Sequence, residues 1–169
     1  MRKPLLRVAK RKRPLKLLIV LHGAANTGKS MTLIRFCKGL IDESLDYYEL
    51  KKECRSRDRK VVARMGKWII GVSTAGDTPD LIKEGIRFII SQRCDIGVVA
   101  VRDSGTLLDV CKRYVKRYNT RIAVAQKSDV CSKFIQKEYS MLCADVFLAA
   151  IRKTRIREIA KQIEMDFAS

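Results

Sequence analysis

A chain of 169 residues that is 47% hydrophobic and 32% charged, with 9 Gly and 3 Pro, has the length of one domain and enough apolar material for a core, which excludes a disordered or collagen-like protein. Its formal charge of +18 points to a polyanionic partner (nucleic acid, an acidic membrane surface or a phosphate-rich substrate) or to a strongly solvated surface. No segment approaches the roughly 18 consecutive apolar residues that span a bilayer.

The charge is unevenly spread. Met1 to Lys16 holds eight Lys or Arg and no acid, and Lys51 to Lys67 holds eight more against Glu53 and Asp58 alone; the two stretches carry +14 of the +18. Neither interleaves aromatic and basic residues in the manner of a base-stacking surface, and Tyr47 and Tyr48 beside the second do not make a platform.

In chain order, residues 1–15 read as a basic tail. Pro4 and Pro14 discourage regular structure there, and Lys10-Arg11-Lys12-Arg13 suits a targeting or nucleic-acid arm or a solubilising tail. Residues 16–169 read as one α/β domain. A basic start followed by Leu17-Leu18-Ile19-Val20-Leu21 mimics a secretory signal, but the apolar run is short and leads straight into a glycine-bounded loop, so a buried strand over Lys16–His22 is the better reading. Ser30 to Leu40 reads as a helix, with Leu33, Ile34, Cys37 and Ile41 at helical spacing. Residues 42–59 are charged and fit either a helical excursion or a long loop. Residues 61–64 and 68–72 flank Met65-Gly66-Lys67 as a hairpin.

Thr78 caps a helix with Pro79 at its first position, running to about Ser91. A strand over Ile96–Val101 follows. Next come a helix over Thr106–Tyr118 with Leu108, Cys111 and Val115 on one stripe, and a strand over Arg121–Gln126. Residues 144–167, with Ile156, Ile159, Ile163 and Phe167 at helical spacing, close the domain as one or two helices. This alternation predicts a three-layer α/β fold with a mainly parallel sheet and an antiparallel hairpin near 61–73. In such sheets ligands sit at the carboxyl ends of the strands. The six cysteines contain no CxxC pair, and His22 is the sole histidine, so zinc-like spacing is missing and reduced thiols of a cytoplasmic protein are expected.

The residues that carry chemistry are Gly23-Ala24-Ala25-Asn26-Thr27-Gly28-Lys29-Ser30, with Met31 completing the loop-contacting set. Small residues let the backbone wrap a phosphate with its amides pointing inward, and the following helix adds its positive end. Lys29 is placed to reach the β- and γ-phosphates and the Ser30 hydroxyl to coordinate magnesium. The segment resembles the Walker A motif of the P-loop NTPase superfamily, specifically over residues 16–41 and loosely elsewhere. The resemblance implies ATP or GTP with Mg2+ as ligands.

Phosphoryl chemistry also needs an acid near the metal and a group that steadies the transferred phosphate. Asp77, after the strand that ends in Ser73-Thr74-Ala75-Gly76, is the first candidate for the magnesium-side or water-positioning carboxylate, with helix capping as its alternative role. Asp103 is the second, directly after an apolar strand. Arg102 is placed either over phosphate oxygens or in a surface ion pair with Asp103 or another acid. Ser73 and Thr74 sense the γ-phosphate or satisfy the turn, His22 packs beside the loop, and Asp95 lies at the wrong end of its strand. The order of elements also resembles a weakened small-GTPase series, in which Gly76 watches the γ-phosphate and Lys127 and Asp129 frame guanine. Ser73 and Gln126 depart from that pattern. The leading expectation is a Mg-dependent NTPase. The alternatives are a small-molecule or nucleotide kinase with residues 51–64 as clamp or lid, a non-catalytic nucleotide-sensing adaptor for nucleic acid or protein, and the GTPase-like switch.

Overall fold

The computed structural model describes residues 14–44, 46–51, 58–127 and 133–168. Its elements are β1 (Leu17–Gly23), α1 (Lys29–Glu43), β2 (Asp46–Lys51), β3 (Arg59–Met65), β4 (Trp68–Ser73), α2 (Pro79–Ser91), β5 (Ile96–Arg102), α3 (Leu107–Arg117), β6 (Arg121–Gln126), α4 (Lys133–Ile151) and α5 (Ile156–Asp166). They build an α/β domain on one six-stranded mixed sheet of order β2-β3-β4-β5-β1-β6. β4, β5, β1 and β6 are parallel neighbours, and β3 runs antiparallel to both β2 and β4.

The continuous apolar run of β1 follows from burial on both faces, since successive side chains of a strand point to opposite sides. Leu17, Ile19 and Leu21 join one core cluster with Leu33, Phe36 and Phe147 of α1 and α4. Leu18 and Val20 join the other with Ile82, Ile86 and Val110 of α2 and α3. Helices thus cover both faces: α1, α4 and α5 on one, α2 and α3 on the other.

The expected hairpin is β3–β4, turning at Gly66 with φ 56°. Thr78 caps α2 by accepting from the Leu81 amide at 3.3 Å, with Pro79 at the first helical position. Three expectations need correction. Residues 46–51 are neither helix nor loop but the edge strand β2, paired with β3 from Asp46↔Arg64 to Lys51↔Arg59. Leu15 is not part of a tail, because its side chain is buried and its carbonyl accepts from the Thr120 hydroxyl at 2.9 Å. The first closing helix starts at Lys133, eleven residues earlier than 144. Cys37, Cys94, Cys111 and Cys143 are buried cysteines, with burial pushing the thiols of Cys94 and Cys111 up to about 12. Among the described residues no helix is long and apolar enough to cross a membrane.

Candidate phosphate-binding site

β1 delivers the 23–30 loop to the carboxyl edge of the sheet, between β5 and β6. The helix after β1 lies on one face and the helix after β5 on the other, so the crevice between these two strands is the switch point where open α/β sheets take ligands. Asn26 and Gly28 both adopt left-handed backbone, with φ of 62° and 77°. Such turns aim successive amides into a shared concavity. Both motif glycines are required by space. A Cβ at Gly23 would meet the Lys127 carbonyl oxygen at 2.6 Å, and one at Gly28 would meet Ser140 Oγ at 2.8 Å.

Thr27 is fully buried and its hydroxyl donates to the Ala24 carbonyl at 3.0 Å, which ties the loop across itself. Ala24, Ala25, Asn26, Ser30 and Met31 are exposed. Lys29 folds back into the loop and donates to the carbonyls of Gly23 at 2.8 Å and Ala24 at 2.5 Å. Burial holds its pKa below the ordinary lysine value; the fields of Asp77 and Asp103 raise it, and that of Arg102 lowers it further. All three flanking residues singled out in the sequence therefore act on the same ammonium, with Asp77 exerting the largest charge effect.

Asp77 arrives by a detour, since β4 is not a neighbour of β1. The 74–77 segment crosses the tip of β5, where the Gly76 carbonyl accepts from the Arg102 amide at 3.2 Å. The crossing is so close that a Cβ at Gly76 would lie 1.7 Å from the Ala100 carbonyl oxygen. Thr78 supplies the cap of α2, which leaves the exposed Asp77 carboxylate outside that role. The Asp103 amide donates to the Gly23 carbonyl at 2.8 Å, and its carboxylate lies 3.7 Å from His22 Nε2. His22 Nδ1 in turn lies 2.7 Å from Gln126 Oε1, so the histidine packs beside the loop as expected. Arg102 makes no ion pair with Asp103; its exposed guanidinium has no carboxylate partner among the described residues.

Several candidates fall elsewhere. Thr74 is buried and accepts from the Arg59 amide at 2.7 Å, pinning β3 to β4. Ser73 is buried against Gly85 of α2, on the far face of the sheet. Neither meets the loop. Asp95 sits at the amino edge, paired with Lys16 at 2.9 Å and accepting from the Ile69 amide at 3.1 Å. Residues 59–64 belong to β3 inside the sheet, so they are no lid, and Lys60 is paired with Glu84. Asp129 lies outside the described residues.

Sequence reasoning named Lys127 only for framing guanine and did not place it under the loop. It is 1% exposed and runs beneath the loop, with Nζ 2.8 Å from Thr32 Oγ1, 2.6 Å from Ser140 Oγ and 3.4 Å from the Gly28 carbonyl. Burial and the nearby Lys29 charge lower its pKa to about 8, offset in part by Cys143. The signal was present: a lysine directly after β6, in register with the end of β1, has the loop as its neighbour.

The oxygen donors here, the Ser30 hydroxyl with the Asp77 and Asp103 carboxylates, suit a hard divalent cation. Among the described residues no cluster of three or more His, Cys, Asp or Glu side chains forms a protein-only metal cage. Magnesium held chiefly by a hydroxyl and substrate phosphates needs none. Comparison with protein-family models, curated proteins and solved structures gives no match.

Proposed function

We propose that this chain binds a nucleoside triphosphate at the 23–30 loop and hydrolyses its γ-phosphate with magnesium. One observation carries the reading: a left-handed loop at the start of α1 holds a buried lysine, and two carboxylates and a guanidinium from neighbouring strand ends act on that lysine. Loop amides and the amino end of α1 bind the phosphate chain. Lys29 exchanges the Gly23 and Ala24 carbonyls for β- and γ-phosphate oxygens. Asp77 positions the attacking water, Asp103 stands behind as the strand-end acid, and Arg102 spreads its cation over charge that develops on the transferred group. Ser30, with Asp77 beyond it, is the side chain that would hold magnesium, which when bound neutralises phosphate charge.

The test is calorimetry of magnesium with non-hydrolysable ATP and GTP analogues, followed by phosphate release with no added acceptor. Uptake that Lys29→Ala abolishes supports the reading. Absence of uptake at millimolar nucleotide by folded protein would falsify it, and phosphate transfer only in the presence of an added acceptor would replace hydrolysis by kinase chemistry.

A further inference from the structure

A further concentration of cations lies outside the two basic stretches, at the end of α3. Between residues 112 and 121 the chain reads Lys-Arg-Tyr-Val-Lys-Arg-Tyr-Asn-Thr-Arg, five cations and two tyrosines with no acid. On α3 this segment buries Val115 against the sheet and leaves Lys112, Arg113, Lys116 and Arg117 exposed. Arg113 and Arg117 stand one helical turn apart, as do Lys112 and Lys116, and like charges at that spacing repel. Across from them Lys83 projects from α2, and the two helices enclose a groove of about 310 Å³ lined by Lys83, Arg113, Tyr114 and Arg117, with Pro79 and Thr106 at its head. None of the lining side chains is acidic; Asp80 and Asp109 lie beside the groove, the first 3.5 Å from Lys83 and the second 3.9 Å from Lys112.

Tyr114, which lines the groove, stacks on Tyr118 at 6.2 Å with an interplanar angle of 23°, and Tyr118, 44% exposed, follows the groove-lining Arg117 in the chain. The Arg117 guanidinium lies 5.8 Å from the Tyr118 ring. Cations lining a channel beside a partly exposed aromatic pair are the two elements of a surface for single-stranded nucleic acid: the charges follow phosphates and the rings stack bases. A duplex hides its base faces, and an acidic peptide has none to stack. The head of the groove lies at the starts of α2 and α3, two residues beyond Asp77 and three beyond Asp103. It therefore opens beside the candidate triphosphate site.

We propose that the α2–α3 groove binds single-stranded nucleic acid, its phosphates on Lys83, Arg113 and Arg117 and a base on the Tyr114–Tyr118 pair. This does not depend on the 23–30 loop binding nucleotide. Fluorescence anisotropy with labelled 15-mer oligothymidylate and oligouridylate across a salt series tests it. Full-length protein should bind with an affinity that falls steeply with salt. The triple variant Lys83→Ser, Arg113→Ser, Arg117→Ser should bind at least tenfold more weakly, with a salt slope shallower by about 2, as expected for three lost contacts to a single strand. Tyr118→Ala should weaken binding about 5- to 100-fold, and Tyr118→Phe, which keeps the ring, should restore it. Arg113 and Arg117 are exposed, Lys83 and Tyr118 partly so, and circular dichroism checks that each variant is folded. Folded variants with wild-type affinity would overturn the proposal. So would loss of binding confined to Ser substitutions at residues 10–13, or equal competition by polyglutamate with no effect of Tyr118→Ala.

Discussion

The two ends of the sheet treat buried charge in opposite ways. At the amino end Asp95 is paired with Lys16, and its backbone joins β1 and β4 through the Lys16 amide at 2.8 Å and the Ile69 carbonyl at 2.7 Å. Positive charge there meets negative charge. At the carboxyl end Lys29 and Lys127 are both buried, and among the described residues their ammonium groups donate only to carbonyls and hydroxyls. The start of α1 adds the positive end of a helix to the same place. One end is electrostatically complete without a ligand. The other gathers two buried lysines that no carboxylate pairs directly among the described residues, with Asp77 and Asp103 acting on Lys29 only from a distance, an arrangement that an anion would relieve.

Substitutions that separate stability from ligand affinity test this contrast. Lys29→Ala gives the largest expected effect: loss of magnesium-nucleotide uptake and a fall in turnover of about 10²–10³-fold, with the unfolding midpoint nearly unchanged because Lys29 bonds only within its own loop. Isothermal calorimetry and phosphate release measure the first pair, and urea unfolding the last. Asp95→Ala should do the reverse, lowering unfolding stability by about 1–3 kcal/mol through the orphaned Ile69 amide and leaving nucleotide affinity intact. If Asp95→Ala weakened nucleotide binding and not stability, the contrast would be wrong. Lys16→Met should cost a similar amount, about 1–3 kcal/mol, because it leaves the buried Asp95 carboxylate without its cation.

A pH signature gives a further test. Lys127 has a folded pKa of about 8 against an ordinary 10.5. Below pH 8 it is charged in both states, and its burial is a standing cost to the fold. Between about pH 8 and 10.5 the folded chain sheds that proton while the unfolded chain keeps it, so this residue's contribution becomes more favourable as pH rises. The thiols of Cys94 and Cys111, raised by burial to about 12, act oppositely above about pH 9. They largely cancel when wild type is compared with Lys127→Met. The stability difference, wild type minus variant, should therefore climb across that window in denaturant titrations; a flat difference would remove Lys127 from the account.

Much of this was legible in the sequence where one local rule decided the outcome. β1 needed only its apolar run, α2 only Thr78-Pro79, and the loop only its glycine spacing. β2 was not legible because Asp46-Tyr47-Tyr48-Glu49-Leu50-Lys51 has neither strong alternation nor an apolar run; its pairing with β3 makes it a strand, a case of tertiary context overriding propensity. The site divides in the same way. Asp77, Arg102 and Asp103 were expected beside the loop because strand ends are where ligands sit, and their charges do act on Lys29. Thr74, read as a γ-phosphate sensor or a turn-satisfying group, takes the local structural role, its hydroxyl accepting from the Arg59 amide, fifteen residues back in the chain. The orientation of Lys127 depends on α4 lying over the loop, which spacing alone does not encode.

The loop is also fastened to α4. Gln136 donates to the Asn26 carbonyl, and Ser140 Oγ lies 3.5 Å from the Gly28 carbonyl. Farther along, Gly39 of α1 and Leu148 of α4 pack so closely that a Cβ on Gly39 would fall 2.4 Å from a Leu148 methyl. Arg152 then grips Glu43 through Nη2 at 2.5 Å. α1 and α4 are thus joined at head, middle and foot. The loop is thereby braced along a 19-residue rod about 28 Å long, which near its far end is anchored in turn where Phe147 stacks on Phe167 at the close of α5.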